Sequence, residues 1–324
     1  MTGEPIAGTR TQLLNLQERF TNMLSSEQKA TLDDYVNIGH RSTPGWLWQS
    51  AAYITALLGM KQIEDGLQGN LGEIGVWQGR YLFLLGLLSR ENEKVAGIDS
   101  FVHSPDPEGF ARRVENRFNL EASTAGKLTL IKEDSTKLTP EKIRQSVAGD
   151  FRLFSVDGGH LAHEVLSDSA LVAQMMVPGG IMILDDILNS TCPGVIEGTL
   201  DFLRSPQGSR FAPFCLVGNK LMVTDKASAD HYRNYLLQVI QENKDASIFR
   251  DTAQTISDFP EGVYPKLCGS DLIVVTWSGD YLISDNGGPV LIRTKVCDMR
   301  EMDSPEVQLP SVVSLFERSA AVAG

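Results

Sequence analysis

NLGEIGVWQGR, residues 70–80, is an apolar run that closes on a glycine, crosses a short turn and meets a second glycine where a new amphipathic stretch begins. That is the grammar of a strand feeding a helix, and the helix start offers free N–H groups to a ligand. The same alternation repeats outward along the chain. Short apolar runs at 69–74, 94–98, 128–132, 151–156 and 180–184 read as strands, and the stretches at 79–89, 107–120, 140–147, 162–176 and 194–203 read as helices. Two further strands, 211–216 and 220–224, are joined by Val217-Gly218-Asn219, a polar turn that favours a hairpin. A parallel sheet that ends in a hairpin must carry an antiparallel last strand, which sets it apart from the six-parallel-strand dinucleotide fold.

The flanks differ in texture. Before residue 69 the chain reads as helices only, at 11–24, 26–38 and 44–58, the last carrying Trp46, Trp48 and Tyr53. After residue 225 a helix at 230–243 is followed by runs at 271–277, 281–284 and 290–294 that suggest a small β-meander, serving as an oligomer contact or as cover for a sheet edge. The expectation is an α/β protein in three parts: a helical cap over 1–68, a core over 69–225 and an extension over 226–324. The core's strand inventory, a mostly parallel seven-stranded Rossmann-like sheet with an antiparallel last strand, is similar to that of class I methyltransferases.

Composition narrows the partners. The 324 residues carry 29 Lys plus Arg against 41 Asp plus Glu, a formal charge of −12, which disfavours nucleic acid and anionic membrane surfaces. Cys192, Cys215, Cys268 and Cys297 form no CxxC pair, so a reducing cytoplasm is expected. The first residues lack the basic-then-apolar order of a secretory leader. The longest apolar run, 170–184, is broken by Gln174 and Pro178-Gly179-Gly180, which predicts no membrane span.

Three strand ends suggest a cofactor. The loop Glu73-Ile-Gly75-Val-Trp77-Gln-Gly79 lacks G-x-G-x-x-G and holds a bulky Trp77, so a diphosphate fits poorly. S-adenosylmethionine, which needs close backbone without a phosphate cradle, suits it better, and Glu73 is a natural partner for positive charge. Asp99-Ser100 at the second strand end can accept ribose hydroxyls, and Asp134 at the third can meet an adenine amino group. The competing reading makes the loop a structural turn and each aspartate a helix N-cap.

The next two strands end in Asp157-Gly158-Gly159-His160 and Asp185-Asp186, and in a doubly wound sheet both project into one crevice. Three converging carboxylates repel one another, which makes a divalent cation the economical explanation, and all-oxygen ligands favour Mg²⁺. His160 is a candidate orienting partner of Asp157, a candidate base, or a loop histidine with its bonds satisfied locally. The alternative is that Asp185 caps the next helix and Asp186 is solvated.

With these residues in hand the chain resembles the macrocin O-methyltransferase family. The matching pieces are GEIGVWQGR at 72–80, GIDSF at 97–101, FSVDGGHLAHEVLSDSALV at 154–172, PGGIMILDDI at 178–187 and PFCLVGNKLMVTD at 213–225. The resemblance implies S-adenosylmethionine bound through Glu73, Gly75, Gly79, Asp99, Ser100, Asp134 and Asp157, and Mg²⁺ on Asp157, Asp185 and Asp186. It also implies a base at Asp157 or His160, and an acceptor hydroxyl on the sugar or polyol moiety of a small natural product. Where that family often has an aromatic residue after the histidine, this chain has Leu161 and Ala162. The function expected is Mg²⁺-dependent O-methylation by a cytoplasmic homo-oligomer. The rivals are an N-methyltransferase, a nicotinamide oxidoreductase and a non-catalytic nucleoside-binding protein.

Overall fold

The computed structural model describes residues 23–260, 262–276 and 309–323. Strands β1 (Asn70–Ile74), β2 (Val95–Ile98), β3 (Leu128–Ile131), β4 (Phe151–Val156) and β5 (Met176–Leu184) run parallel. Their apolar runs reflect burial on both faces of the sheet. From β6 (Phe211–Val217) the chain turns through Gly218 and Asn219 into β7 (Lys220–Asp225), which lies antiparallel between β6 and β5. A short hairpin of β8 (Lys266–Leu267) and β9 (Ser270–Asp271) precedes β10 (Ile273–Val275). The last strand adds in parallel to the free edge of β6, and the sheet order is β10-β6-β7-β5-β4-β1-β2-β3. The sheet thus has eight strands where seven were expected. Among the described residues the extension is not a meander: it covers a sheet edge. The runs expected at 281–284 and 290–294, and the helix expected at 11–24 except its last two positions, lie outside the described residues.

The helices are α1 (Ser26–Asn37), α2 (Gln49–Glu64), α3 (Arg80–Leu87), α4 (Pro107–Leu120), α5 (Pro140–Val147), α6 (Ala162–Ala173), α7 (Pro193–Arg204), α8 (Lys226–Glu242), α9 (Ser247–Asp258) and α10 (Val312–Ala323). Two of them begin with proline behind a side-chain cap: Asp106 accepts from the Gly109 amide, and Thr139 from that of Lys142. Helix α2 starts later than its Trp-rich pattern predicts, because Trp48 is extended and Gln49 donates to the Asn37 carbonyl at 2.7 Å. Helix α6 ends at Ala173, since Met176 already pairs with Phe151 as the first residue of β5. That strand then runs through Pro178-Gly179-Gly180 with a shift of register. None of the helices is long and apolar enough to cross a membrane among the described residues.

Two apolar clusters sandwich the sheet. Away from the strand ends that carry the candidate site, wholly buried Arg152 of β4 ties the cap to the core. It donates to both carboxylate oxygens of Glu93 (2.8 and 3.0 Å), to Gln62 Oε1 of α2 (2.9 Å) and to the Leu88 carbonyl (2.7 Å). Helix α10 rests against α1, α2 and α8, so the cap and the extension also meet.

Candidate functional site

Sheet register builds the site. Ile74, Val156, Leu184 and Leu221 lie abreast on β1, β4, β5 and β7, and all four side chains join the same apolar cluster. Side chains alternate along a strand, so the next residue out on each strand faces the opposite way. Those residues are Gly75, Asp157, Asp185 and Lys220. The ladder continues into this row, with the Asp157 amide on the Ile74 carbonyl (2.9 Å) and the Asp185 amide on Val156 (3.0 Å). Glu73, one step back on the same face, completes the group.

Gly75 has φ +87°, and a Cβ there would stand 1.7 Å from the Asp157 carbonyl oxygen. The glycine is demanded first by the protein's own β4 backbone, which must pass this close for the two loops to share one crevice. Asp99 locks the turn: Oδ2 accepts from the Trp77 amide (2.8 Å) and Oδ1 from the Phe101 amide (2.6 Å). Both of those residues have positive φ, 51° and 54°, a conformation that costs bulky side chains energy and is held here by one carboxylate. Gly79 starts α3 in the left-handed region, and exposed Ser100 accepts from the Val102 amide at 3.4 Å. Asp134 turns onto its own loop and accepts from Thr136 N (3.0 Å) and Oγ1 (2.7 Å), bonds that hold its carboxyl below the usual range. The capping reading describes the geometry of that aspartate.

Of the acids, Glu73 is buried, and its Oε2 has no hydrogen-bond partner. Burial pushes its carboxyl well up, with Lys220 opposing and Asp185 and Asp99 adding to the rise. Burial likewise raises Asp157 well above the usual carboxylate range, reinforced by the neighbouring Asp185 charge. Asp185 is held by Lys220, whose buried ammonium pairs with Oδ2 and lies 4.5 Å from the centre of the Tyr81 ring. Burial disfavours that ammonium, but the Asp185 and Asp157 carboxylates outweigh it and keep Lys220 protonated. The three carboxylates are therefore not without a positive charge. A cation is already attached to the chain, one residue past the hairpin turn.

Asp186, at φ +57°, faces the other way. Its Oδ1 accepts from Asn189 Nδ2 (3.2 Å) and Asn219 Nδ2 (2.8 Å), and its Oδ2 lies 3.1 Å from His160 Nε2. Burial works against ionisation of Asp186, yet His160 and Asn189 hold its carboxyl low, and the same Asp186 bond raises His160. His160 is 47% exposed and spends its other nitrogen on Cys192 Sγ at 3.4 Å. The expected Asp157, Asp185, Asp186 and His160 do converge on one edge: Asp185 meets both Asp157 and Lys220, and Asp186 pairs with His160.

A divalent ion on Asp157, Asp185 and Asp186 does not fit this arrangement. Asp185 Oδ1 accepts from the Asp186 amide (2.8 Å) and Oδ2 holds Lys220, while both Asp186 oxygens already serve the two Asn side chains and His160. His160, Asp186 and Cys192 do bring a ligand atom each within 4.8 Å of one another, but that set includes a thiol, which suits a softer metal than Mg²⁺. S-adenosylmethionine does fit. Glu73 Oε2 is an unpaired acceptor suited to an ammonium, and the Gly75 turn brings backbone close without a side chain.

Sequence reasoning missed Lys220 and Asp168. The signal for the first was a lone charge opening the apolar strand KLMV. Asp168 of α6 is 1% exposed, its Oδ1 has no partner, and it lies under the Gly158 backbone. Burial raises it to about 6, eased by a bond to Ser135.

Residues 73–187 match a family model described as a methyltransferase domain. No curated protein matches the chain. Among solved structures it is similar to CalS11, a TDP-rhamnose 3'-O-methyltransferase of calicheamicin biosynthesis, at 17% identity, over 54% of this chain and 79% of that one, with a TM-score of 0.42. It is also similar to the O-methyltransferase NovP, at 15% identity, over 55% and 79% of the two chains, with a TM-score of 0.43. For the methyltransferase PaMTH1 of Podospora anserina the values are 13%, 70% and 100%, with a TM-score of 0.41. The match over 73–187 runs from the end of β1 to the loop after β5, the part of the core that carries the strand-end row.

Proposed function

We propose that the protein transfers the methyl group of S-adenosylmethionine to a hydroxyl of a small molecule, a sugar or polyol moiety being the acceptor class to test first. The observation that carries the reading is the His160–Asp186 pair, set on the same strand-end loops as the row that begins at Gly75. S-adenosylmethionine, when bound, supplies an electrophilic methyl on a sulfonium that becomes a neutral thioether on transfer. Glu73 and the Gly75 turn would hold its amino acid end, and Asp99 would fix the loop that faces its ribose.

His160 manages the proton. With Nε2–H donated to Asp186, the lone pair sits on Nδ1, now shared with Cys192, and an entering hydroxyl can replace that thiol. As the oxygen–methyl bond forms, the hydroxyl proton passes to Nδ1, and Asp186 stabilises the imidazolium. Exposed Trp46, its ring 6.0 Å from that of Trp77, and exposed Leu161 beside His160 offer apolar surface for the rest of an acceptor.

Calorimetry with S-adenosylhomocysteine, followed by transfer of labelled methyl to a panel of deoxysugar nucleotides, polyols and catechols, tests the reading. His160→Ala should lower kcat roughly a hundredfold and leave S-adenosylhomocysteine affinity unchanged. A protein that binds no S-adenosylhomocysteine, or a variant that turns over at the full rate, refutes it.

A further inference from the structure

The row of strand ends contains a positively charged side chain that the methyltransferase reading does not use. Lys220 takes its place from register: Leu221 stands opposite Leu184, so Lys220 stands opposite Asp185, and the alternation that turns both leucines to one apolar cluster turns this pair to the other face. Its exposure is 2%, and that of its partner Asp185 is 6%. The lysine cannot readily swing away. The Tyr81 ring lies against the ammonium, and the Tyr81 hydroxyl is fixed by Thr55 Oγ1 at 2.8 Å. Behind it the two-residue turn at Gly218 packs on Trp48, since a Cβ on Gly218 would lie 3.1 Å from that indole.

We propose that the Lys220 ammonium is the site's own cation, fixed where a divalent ion would otherwise gather Asp157 and Asp185, and that the protein handles its acceptor without a divalent ion on these acids. The proposal rests on the methyltransferase reading for the identity of the site. A single charge on a tether satisfies Asp185, whose other oxygen is taken by the Asp186 amide. A divalent ion in the same row would stand beside a buried ammonium and be repelled by it. It would also have to take Asp186 from Asn189, Asn219 and His160. Lys220 is thus a positioning residue, holding Asp185 and the charge balance of the row while His160 takes the proton.

The test is Mn²⁺ binding followed by electron paramagnetic resonance on the full chain, with S-adenosylhomocysteine present at saturation. Wild type should show no saturable Mn²⁺ binding into the millimolar range, and exhaustive chelation should leave turnover unchanged. Lys220→Met keeps the length of the side chain and removes the charge, and it should create a site that binds Mn²⁺ at least roughly tenfold more tightly than wild type. A merely structural lysine would not produce that gain. One tightly bound Mn²⁺ per wild-type chain, or turnover lost on chelation and restored by Mg²⁺, overturns the proposal. So does a folded Lys220→Met protein with no gain in Mn²⁺ affinity. If that variant does not fold, the wild-type titration decides alone. Calorimetry with S-adenosylhomocysteine on the same samples reports separately on the methyltransferase reading: a protein that binds neither S-adenosylhomocysteine nor Mn²⁺ sinks that reading, and the proposal with it.

Discussion

Replacing Gly75 with alanine probes the closest backbone approach to a glycine among the described residues. The added methyl would stand 1.7 Å from the Asp157 carbonyl oxygen, at a residue with φ +87°. An ordinary carbon–oxygen contact needs about 3.3 Å, so the ends of β1 and β4 must part by more than an ångström. Left-handed backbone costs alanine about 1–2 kcal/mol. The parting also stretches the Asp157-to-Ile74 backbone bond, now 2.9 Å, for roughly 1 kcal/mol more. The expected loss is about 2–4 kcal/mol in urea unfolding. Gly79→Ala is the control, because φ is similar at +83° but the nearest atom is a Val114 methyl at 3.2 Å. That variant should lose only about 1–2 kcal/mol. The two should also differ in S-adenosylhomocysteine affinity, since only Gly75→Ala displaces the row that carries Asp157. Equal losses in the two variants, or unchanged affinity for Gly75→Ala, would refute the idea that this glycine serves the β1–β4 approach.

Other outcomes follow from the buried charges. The Asp168 carboxyl sits at about 6 in the folded protein against 3.8 for the free side chain. A raised pKa means stability that is complete below about pH 3.9 and lost as pH climbs through 6, a swing of about 3 kcal/mol. Asp168→Asn should therefore gain on wild type by about that amount between pH 4 and pH 7.5, and a constant difference across the range would contradict it. Arg152→Met leaves the buried Glu93 carboxylate with Arg90 as its remaining cation and should cost about 3 kcal/mol in chemical unfolding, the low end for breaking a buried pair. The double variant with Glu93→Met should lose less than the sum of the two single losses, and purely additive losses would show that the pair is not coupled.

The core was legible because parallel strands buried on both faces leave continuous apolar runs, as in the VAGI of β2 and the IMIL of β5, and because Pro107 and Pro140 mark helix starts. The errors have specific causes. The Pro178-Gly179-Gly180 step looks like a break, but its backbone pays little for the irregular pairing that lets β5 begin at Met176. The tryptophans before α2 mimic a helical stripe while the chain is still extended. At the site, individual acids could be found from strand ends. Their partners could not, because Lys220 meets Asp185 across a hairpin and Glu93 meets Arg152 from a distant strand, and such pairings exist only once register is set.

Strand β10 bears on how this chain could be divided. The region that matches the methyltransferase model stops at residue 187, yet the backbone groups on the outer side of β6 find their partners in residues 273–275. A protein trimmed after β7 would keep every residue named in the site and display a bare apolar strand along its flank, an invitation to sticky self-pairing and inclusion bodies. The unit of chemistry and the unit of folding therefore have different limits. A graft of this catalytic edge onto another scaffold has to bring its distant selvedge along.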